Sequence, residues 1–385
     1  MKHLLRMAAN GFFHSKFGFC QIRINARGDP RTNEDKTHSV TSSLESTLVD
    51  LLKRFRAGQT VALGRAISLV EDQRPGFQDF LHEVLGGPSA ARVGFTGPPG
   101  AGKSSVLSMV AMNCRAEEEK VGVVAVDPTS PYSGGALLGD RIRMGELATD
   151  PGIFIRSMAT RGSIGGLATA TNEVLDLMDA FGFDRVLLET VGVGQTEFEI
   201  TAATDTVIVV LVPESGDSIQ AMKAGLMEIA DIFVVNKADR PGAERLVKDL
   251  RQGLHLKAAT AMEISSIDDD LDPARITSES DIEPSNLVWS PPVVSTVARS
   301  GEGVEDLMEA IKAHRLWLEE SGELEERRRV RQRVRVQDVM DRELRRIVWN
   351  SDAVLAELDQ ASNRIRKGKD TSYSVAWDIL GRLLR

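Results

Sequence analysis

The first chemical signal is a glycine-rich segment with a lysine and a serine at its end, Gly97-Pro98-Pro99-Gly100-Ala101-Gly102-Lys103-Ser104. Its spacing fits G-x-x-x-x-G-K-[ST], between a predicted strand and a predicted helix. The glycines let the backbone curl so that successive N–H groups point at phosphate oxygens, and the helix N-terminus adds positive potential. Lys103 is expected to reach the β- and γ-phosphates and Ser104 to hold Mg²⁺. The predicted nucleotide-binding positions here are Gly97, Gly100, Ala101, Gly102, Lys103, Ser104 and Ser105.

The second signal is the tetrapeptide Asn236-Lys237-Ala238-Asp239, which follows a predicted strand at 232–236. In the N-K-x-D pattern the Asp carboxylate accepts hydrogen bonds from N1–H and the exocyclic amine of guanine. Adenine offers no such donor pair, and an unpaired carboxylate is costly. The sequence therefore predicts a site for GTP and GDP rather than ATP, with Asn236, Lys237 and Asp239 as nucleotide-binding residues.

Acidic residues stand where predicted strands end between these two signals. Asp127 and Glu189 each close a strand, and Asp140 follows in a Leu-Gly-Asp sequence. Such positions beside a phosphate-binding loop commonly hold Mg²⁺ and its waters. Gln195 either orients an attacking water or is an ordinary polar loop residue. The predicted metal ligands are Ser104, Asp127, Asp140 and Glu189, and the candidate catalytic residues are Lys103, Glu189 and Gln195.

Short apolar runs that alternate with helical periodicity position these residues. They predict an α/β fold with a mostly parallel sheet covered by helices, of the P-loop class. The predicted strands are 92–96, 121–126, 153–156, 185–189, 206–212, 232–236 and 293–296. We predict a basic tail and linker over 1–43, a helical N-terminal module over 44–90, a P-loop domain over 91–315 and a helical C-terminal region over 316–385.

Composition excludes several classes of protein. Among 385 residues, 42% are hydrophobic and 27% charged, which is typical of a globular chain. The net charge of −9 and an aromatic content of 5% disfavour a general nucleic-acid or anionic-membrane binder. Two cysteines form no disulfide framework, and six scattered histidines predict no intrinsic transition-metal site. No apolar run approaches the roughly 18 residues of a membrane span, so a soluble protein is expected.

Two charged segments have open interpretations. Residues 263–283 carry eight acids and one base and predict a surface loop, or a contact for a basic partner. The arginines at 327, 328, 329, 331, 333 and 335 are typical of a solvated helix face, with contact to an acidic partner as the alternative.

The N-terminal segment 1–28 is basic and contains no acid. This composition is typical of a mitochondrial transit peptide, but sparse serine and the lack of an amphipathic period favour a disordered tail or an overlong start. The cytoplasm is therefore the expected location. The mitochondrial matrix is the alternative.

Taken together, the segments resemble one family, MeaB/ArgK/MMAA. The resemblance covers roughly residues 44–385 and is carried by 97–104, AVDPTSPYSGGALLGDRIRM at 125–144, TRGSIGG at 160–166, LLETVGVGQTE at 187–197, GDSIQAMKAG at 216–225 and NKAD at 236–239. The run at 189–197 is the most specific, because ordinary small GTPases have an Asp where Glu189 stands.

The resemblance implies a GTPase that acts as a chaperone of adenosylcobalamin-dependent methylmalonyl-CoA mutase or a related acyl-CoA mutase. Such proteins gate cofactor loading and protect the mutase, and they form homodimers through C-terminal helices. Segments 127–145, 189–200 and 214–225, the last including Lys223, match the switches of the family. An older family label is a kinase linked to amino-acid transport (ArgK).

Three departures from the family pattern leave alternatives open. Ser218 stands where many relatives have an acid in the third switch, and the late guanine-contacting loop reads Thr296-Val297-Ala298 rather than Thr-Ser-Ala. The acidic segment 263–283 is longer than expected. A nucleotide-binding adaptor with negligible hydrolysis is one alternative, because Ser218 departs from the switch pattern. A metallochaperone GTPase of the same fold class is another, although it is expected to carry His-rich or Cys-His motifs near the switches.

Overall fold

The computed structural model describes residues 46–87, 89–127, 145, 147–159, 170–190, 199–213, 225–268 and 288–383, with backbone alone at 127 and 257–268. By their contacts, the described residues from Leu48 onward form one compact unit. The α/β fold predicted from the sequence is confirmed, and each predicted strand is found with its ends shifted by at most three residues.

A seven-stranded sheet forms the centre of the fold, and all of its strand pairs are parallel. The strand order is β3-β2-β4-β1-β5-β6-β7. Strands β4, β5 and β6 are buried at every position, as expected for a sheet covered on both faces. The strands are β1 Ala91–Thr96, β2 Val121–Asp127, β3 Ile153–Ala159, β4 Arg185–Glu189, β5 Thr206–Leu211, β6 Ile232–Asn236 and β7 Val293–Thr296.

Helices cover both faces of the sheet and continue to the C-terminal end. In chain order they are α1 (residues 46–56), α2 Thr60–Glu71, α3 Phe77–Val84, α4 Lys103–Ala116, α5 Thr171–Phe181, α6 Ala243–Asp268, α7 Val304–Glu320, α8 Glu323–Trp349, α9 Asp352–Arg366 and α10 Ser372–Leu383. In the described residues no helix is both long and apolar enough to cross a membrane.

Two apolar cores lie on opposite faces of the sheet. Helices α1, α2, α3, α5 and α6 pack on one face, with Phe55 and Phe80 in edge-to-face contact at 5.6 Å between ring centroids. Helices α4 and α7 pack on the other face. Cys114 of α4 is fully buried there, and burial raises the pKa of its thiol to about 12.

The contacts of the arginine run in α8 contradict the prediction that these arginines form a solvated helix face. Arg327 donates to Asp231, at 3.0 Å, and to the carbonyl of Asp205, while Arg328 and Arg331 donate to the Asp205 carboxylate at 3.0 and 2.7 Å. Arg335 pairs with Asp176 of α5. Only Arg329 and Arg333 of the run are exposed as predicted. The acidic partner of this run is therefore the chain itself, because carboxylates stand at the starts of β5 and β6.

The acidic segment also differs from the prediction. Helix α6 continues to Asp268, so residues 263–268 are helical rather than part of a loop. The sequence of this stretch, with Ala, Met, Glu and Ile, contains no Gly or Pro to end a helix. Residues 269–283 lie outside the described residues.

Helix α7 runs across the predicted domain boundary at 315/316.

Asp205 is the most heavily bonded carboxylate of this contact. It is 1% exposed, and it also accepts from the backbone N–H of Arg92 at 3.2 Å. Burial by itself would raise the pKa of Asp205, but hydrogen bonds and charges from Arg328 and Arg331 outweigh burial and lower the pKa to about 2. The carboxylate is therefore held in its charged form between two arginines whose side chains are only 11% and 10% exposed.

We expect Asp205→Asn to lower the free energy of unfolding by about 3–5 kcal/mol, because loss of one partner leaves buried arginines without compensation. Urea denaturation at pH 7 measures this value. Asp338→Asn makes the same chemical change at an exposed position of α8, and it should shift the value by no more than about 0.5 kcal/mol.

The pH dependence follows from the lowered pKa of Asp205, whose ordinary value is 3.8. The lowered pKa adds about 2 kcal/mol to the free energy of unfolding. This contribution is fully present above pH ~4 and is lost as the pH falls toward 2. The difference between wild type and Asp205→Asn should therefore narrow in that window. A difference that stays constant down to pH 2 would contradict the assignment.

Candidate active site

The P-loop, residues 97–104, curls between the end of β1 and the start of α4. Gly97, Gly100 and Gly102 have φ angles of +133°, +77° and +86°, which side chains rarely allow. A Cβ on Gly97 would lie 2.1 Å from the carbonyl oxygen of Val210, and one on Gly102 would lie 2.4 Å from Nδ2 of Asn236. The curl that the sequence predicts therefore depends on glycine both for conformation and for space.

Lys103 and Ser104 begin α4 and are both buried. Nζ of Lys103 donates to the carbonyl oxygens of Gly97 and Pro98 at 3.0 and 3.2 Å, so the ammonium group spans the loop. Oγ of Ser104 donates to Oε1 of Glu189 at 2.7 Å. The neighbouring Ser105 is exposed. Three of the predicted catalytic and metal-binding side chains are thus close together at one end of the sheet.

Asn236 joins the P-loop to the late loop. Its Nδ2 donates to the carbonyl of Ala101 at 2.9 Å. Its Oδ1 accepts from Oγ1 of Thr296 at 3.3 Å and from the backbone N–H of Ala298 at 3.2 Å. Asn236 was predicted to bind nucleotide, and in the structure its amide group holds together two loops that surround the site.

Lys237 and its neighbours extend this connection. Lys237 has a φ of +57°, and its Nζ donates to the carbonyl of Gly100 at 2.9 Å. The backbone N–H of Ala238 donates to the carbonyl of Thr296 at 3.0 Å, and the backbone N–H of Val297 donates to the carbonyl of Glu302 at 3.0 Å. The turn leaves the carboxylate of Asp239 on an exposed residue, where an incoming base can reach it.

A pair of buried hydroxyl groups was missed by the sequence analysis. Oγ1 of Thr190 lies 3.2 Å from Oγ1 of Thr96, and the backbone N–H of Thr190 donates to the carbonyl of Phe95 at 3.1 Å. Thr96 precedes the P-loop and Thr190 follows Glu189, so the pair fixes the two chain segments side by side. The sequence feature that could have indicated this pair is a threonine at the end of β1 and another directly after β4.

The remaining predicted positions are less fully described. Asp127 ends β2, as predicted. Strand β2 pairs with β4 so that Ala125 is opposite Glu189, which places Asp127 two residues beyond that pair. Asp140, Gln195, Ser218 and Lys223 lie outside the described residues. Within the described residues no group of three His, Cys, Asp or Glu side chains forms a metal site.

Fold and site together define a P-loop nucleotide-binding protein of the α/β class. The chain belongs to the family described as methylmalonyl Co-A mutase-associated GTPase MeaB, whose model matches residues 63–353. It is a GTPase, which binds GTP and GDP and hydrolyses GTP. The family resemblance inferred from the motifs is therefore confirmed.

Individual relatives agree with this assignment. A putative GTPase of Pyrococcus abyssi is 47% identical over 284 residues, 73% of this chain and 80% of the relative. The mitochondrial methylmalonic aciduria type A homolog of Mus musculus is 33% identical over 79% of this chain and 71% of its own length. The crystal structure of an LAO/AO transport system kinase has the same fold, with a TM-score of 0.58 and 24% identity over 89% of this chain and 99% of that one.

The two roles inferred for the N-K-x-D turn can be separated by substitution. Asn236→Ala leaves the Ala101 carbonyl and the Ala298 N–H unsatisfied, so GDP affinity should fall about tenfold or more while the preference for GDP over ADP remains. Asp239→Ala should remove that preference, because its carboxylate is the acceptor that the N-K-x-D pattern predicts for guanine. Calorimetric titration of each variant with GDP and ADP measures both quantities. Unchanged GDP affinity in Asn236→Ala, or a retained preference in Asp239→Ala, would contradict this division.

Proposed function

We propose that this chain is a Mg²⁺-dependent, homodimeric GTPase chaperone that gates adenosylcobalamin loading of a cobalamin-dependent acyl-CoA mutase and protects that mutase. The methylmalonyl-CoA mutase type is the proposed client. The observation that carries the proposal is the hydrogen bond from Ser104 to Glu189 beside the P-loop, in a chain of the mutase-associated GTPase family. The cytoplasm is the proposed location, with the mitochondrial matrix as the alternative.

The residues around Ser104 suit Mg²⁺. This ion prefers oxygen ligands and is commonly held by one or two carboxylates together with substrate phosphates. A hydroxyl and a carboxylate, both buried, meet at 2.7 Å between Ser104 and Glu189. Asp127 at the end of β2, and Asp140, are the further proposed ligands. Bound Mg²⁺ would neutralise charge on the phosphate oxygens during transfer.

Hydrolysis at this site rests on positioning and charge rather than on a covalent nucleophile. Backbone N–H groups of the P-loop and the N-terminus of α4 bind phosphate oxygens. The ammonium group of Lys103, which already spans the loop, places a positive charge beside the β- and γ-phosphates. Gln195 is the proposed residue that orients the attacking water, and Asp239 selects guanine.

The dimer proposal rests on exposed apolar side chains of the C-terminal helices. Helix α8 carries Val336, Met340, Leu344 and Ile347 at helical spacing, each between 48% and 60% exposed. In α10, Tyr373 and Trp377 are 81% and 72% exposed. The core between α9 and α10 is small, with four fully buried residues. Apolar surface of this extent is typical of a protein interface, and a second copy is the occupant that the family resemblance implies.

We expect GTP hydrolysis to be stimulated by one cobalamin-dependent mutase. Turnover is measured alone and with methylmalonyl-, isobutyryl- and ethylmalonyl-CoA mutases. Ser104→Ala should reduce turnover about 10- to 100-fold, because it removes a metal-binding hydroxyl. Ser290→Ala is the matched control at an exposed serine before β7, at the end of the sheet opposite the P-loop, and it should keep both turnover and stimulation. Hydrolysis that responds to Ser104→Ala but to no mutase would disprove the partner and leave the GTPase assignment intact.

Dimerisation is tested by placing a charge in the apolar stripe of α8. Leu344→Glu should convert the dimer to a monomer, because a carboxylate buried between subunits has no partner. Val61→Glu introduces the same charge at an apolar residue of α2 that is 62% exposed, and it should leave the dimer unchanged. Light scattering on a size-exclusion column measures the mass. A monomeric wild type, or a dimeric Leu344→Glu variant, would refute the proposed interface.

A further inference from the structure

We propose that a cleft at the base of the sheet binds a small multivalent anion that carries carboxylate or phosphate groups. The cleft has a volume of about 420 Å³ and is lined by α5, α8 and the residues between α3 and β1, a volume in the range of small-molecule sites. Arg92, which lines it, stands at the start of β1, whereas the P-loop follows the end of the same strand. The cleft is therefore distinct from the nucleotide site.

Four arginines and two aspartates line the cleft, and both aspartates already have partners. Asp176 accepts from Arg92 at 2.7 Å and from Arg335. Oδ1 of Asp179 accepts from the backbone N–H groups of Ser89 and Ala90, each at 3.0 Å. The ion pairs of these carboxylates with Arg92 and Arg335 offset much of their negative charge at the cleft. The lining arginines are Arg92, Arg328, Arg331 and Arg335.

The positive charge of these arginines is incompletely balanced. Asp205 serves both Arg328 and Arg331, so one carboxylate is shared by two guanidinium groups. Glu173 lies 4.0 Å from Arg335, the limit of an ion pair, and is closer to Arg342, at 3.6 Å. Burial lowers the pKa of Arg331, and the nearby charges of Arg92 and Arg328 lower it further. Crowded cations of this kind favour an anion beside them.

Two buried donors add an independent observation. The Nε–H groups of Arg92 and Arg331 are buried and have no hydrogen-bond partner among the described residues. The side chains of these arginines are only 4% and 10% exposed. A desolvated cationic donor without a partner is costly, and guanidinium groups match carboxylate and phosphate oxygens in geometry. Because both Nε atoms lie beneath the solvent-accessible surface, an anion in the cleft would stabilise these two cations by its charge and by bonds to the other guanidinium N–H groups rather than by a bond to Nε.

The test uses protein saturated with GDP, so that the P-loop is already filled. Calorimetric titrations with succinate, citrate, inorganic phosphate and glycerol 2-phosphate separate carboxylates from phosphates as ligands. Gln332 lines the cleft on an exposed position of α8, and Gln332→Glu adds a carboxylate there. Gln337→Glu makes the same change on the exposed surface of α8, at a residue that does not line the cleft.

We expect saturable binding of at least one probe to wild type and to Gln337→Glu, and binding about tenfold weaker to Gln332→Glu. GDP affinity and Tm should be the same in all three proteins, which shows that both exposed substitutions leave the fold intact. No saturable binding of any probe up to about 10 mM, a limit of about 3 kcal/mol, would mean that the cleft holds water only and would overturn the proposal. Equal affinity in wild type and Gln332→Glu would overturn it as well.

Discussion

The parallel direction of the strands is the constraint on which the site depends. Because β1, β4, β6 and β7 run the same way, their carboxyl ends meet at one edge of the sheet, which is where α/β folds bind ligands. The P-loop leaves β1, Glu189 closes β4 and Asn236 closes β6. Residues far apart in sequence therefore come within hydrogen-bond distance, as Ser104 does with Glu189, 85 positions away, and Asn236 with Ala101, 135 positions away. Reversal of a single strand would remove its residue from the site.

At the opposite edge of the sheet, where the strands begin, a polar helix is attached. Helix α8 has one fully buried residue, Leu324, so apolar burial contributes little to its position. Charged contacts take that role, with Arg327, Arg328 and Arg331 bound to carboxylates and carbonyl groups at strand starts. Buried ion pairs are costly to desolvate, but each is directional, and removal of one partner strongly destabilises the fold. The helix is therefore fixed in register by its arginines.

How far the sequence predicts this structure depends on the distance over which each signal acts. Local patterns were sufficient for the strands and for the P-loop, whose glycines are required at their own positions. The partners of the arginine run could not be predicted, because Asp205 and Asp231 are single acids before apolar strands and more than 90 residues away in sequence. The structural role of Asn236 was hidden for a similar reason. Its amide contacts two loops, at Ala101 and at Thr296 and Ala298, that only the folded sheet brings together.

The two edges are connected by the strands themselves. Strand β1 begins beside Ala90, whose carbonyl accepts from Arg328, and ends at the P-loop; β6 begins after Asp231, which accepts from Arg327, and ends at Asn236. Each strand is a short extended segment hydrogen-bonded to parallel neighbours on both sides, which leaves it little freedom to bend. Helix α8 is thus bound at its arginines to the starts of two strands whose other ends carry the P-loop and Asn236. The apolar stripe proposed as the dimer contact is therefore connected to the nucleotide site through the sheet.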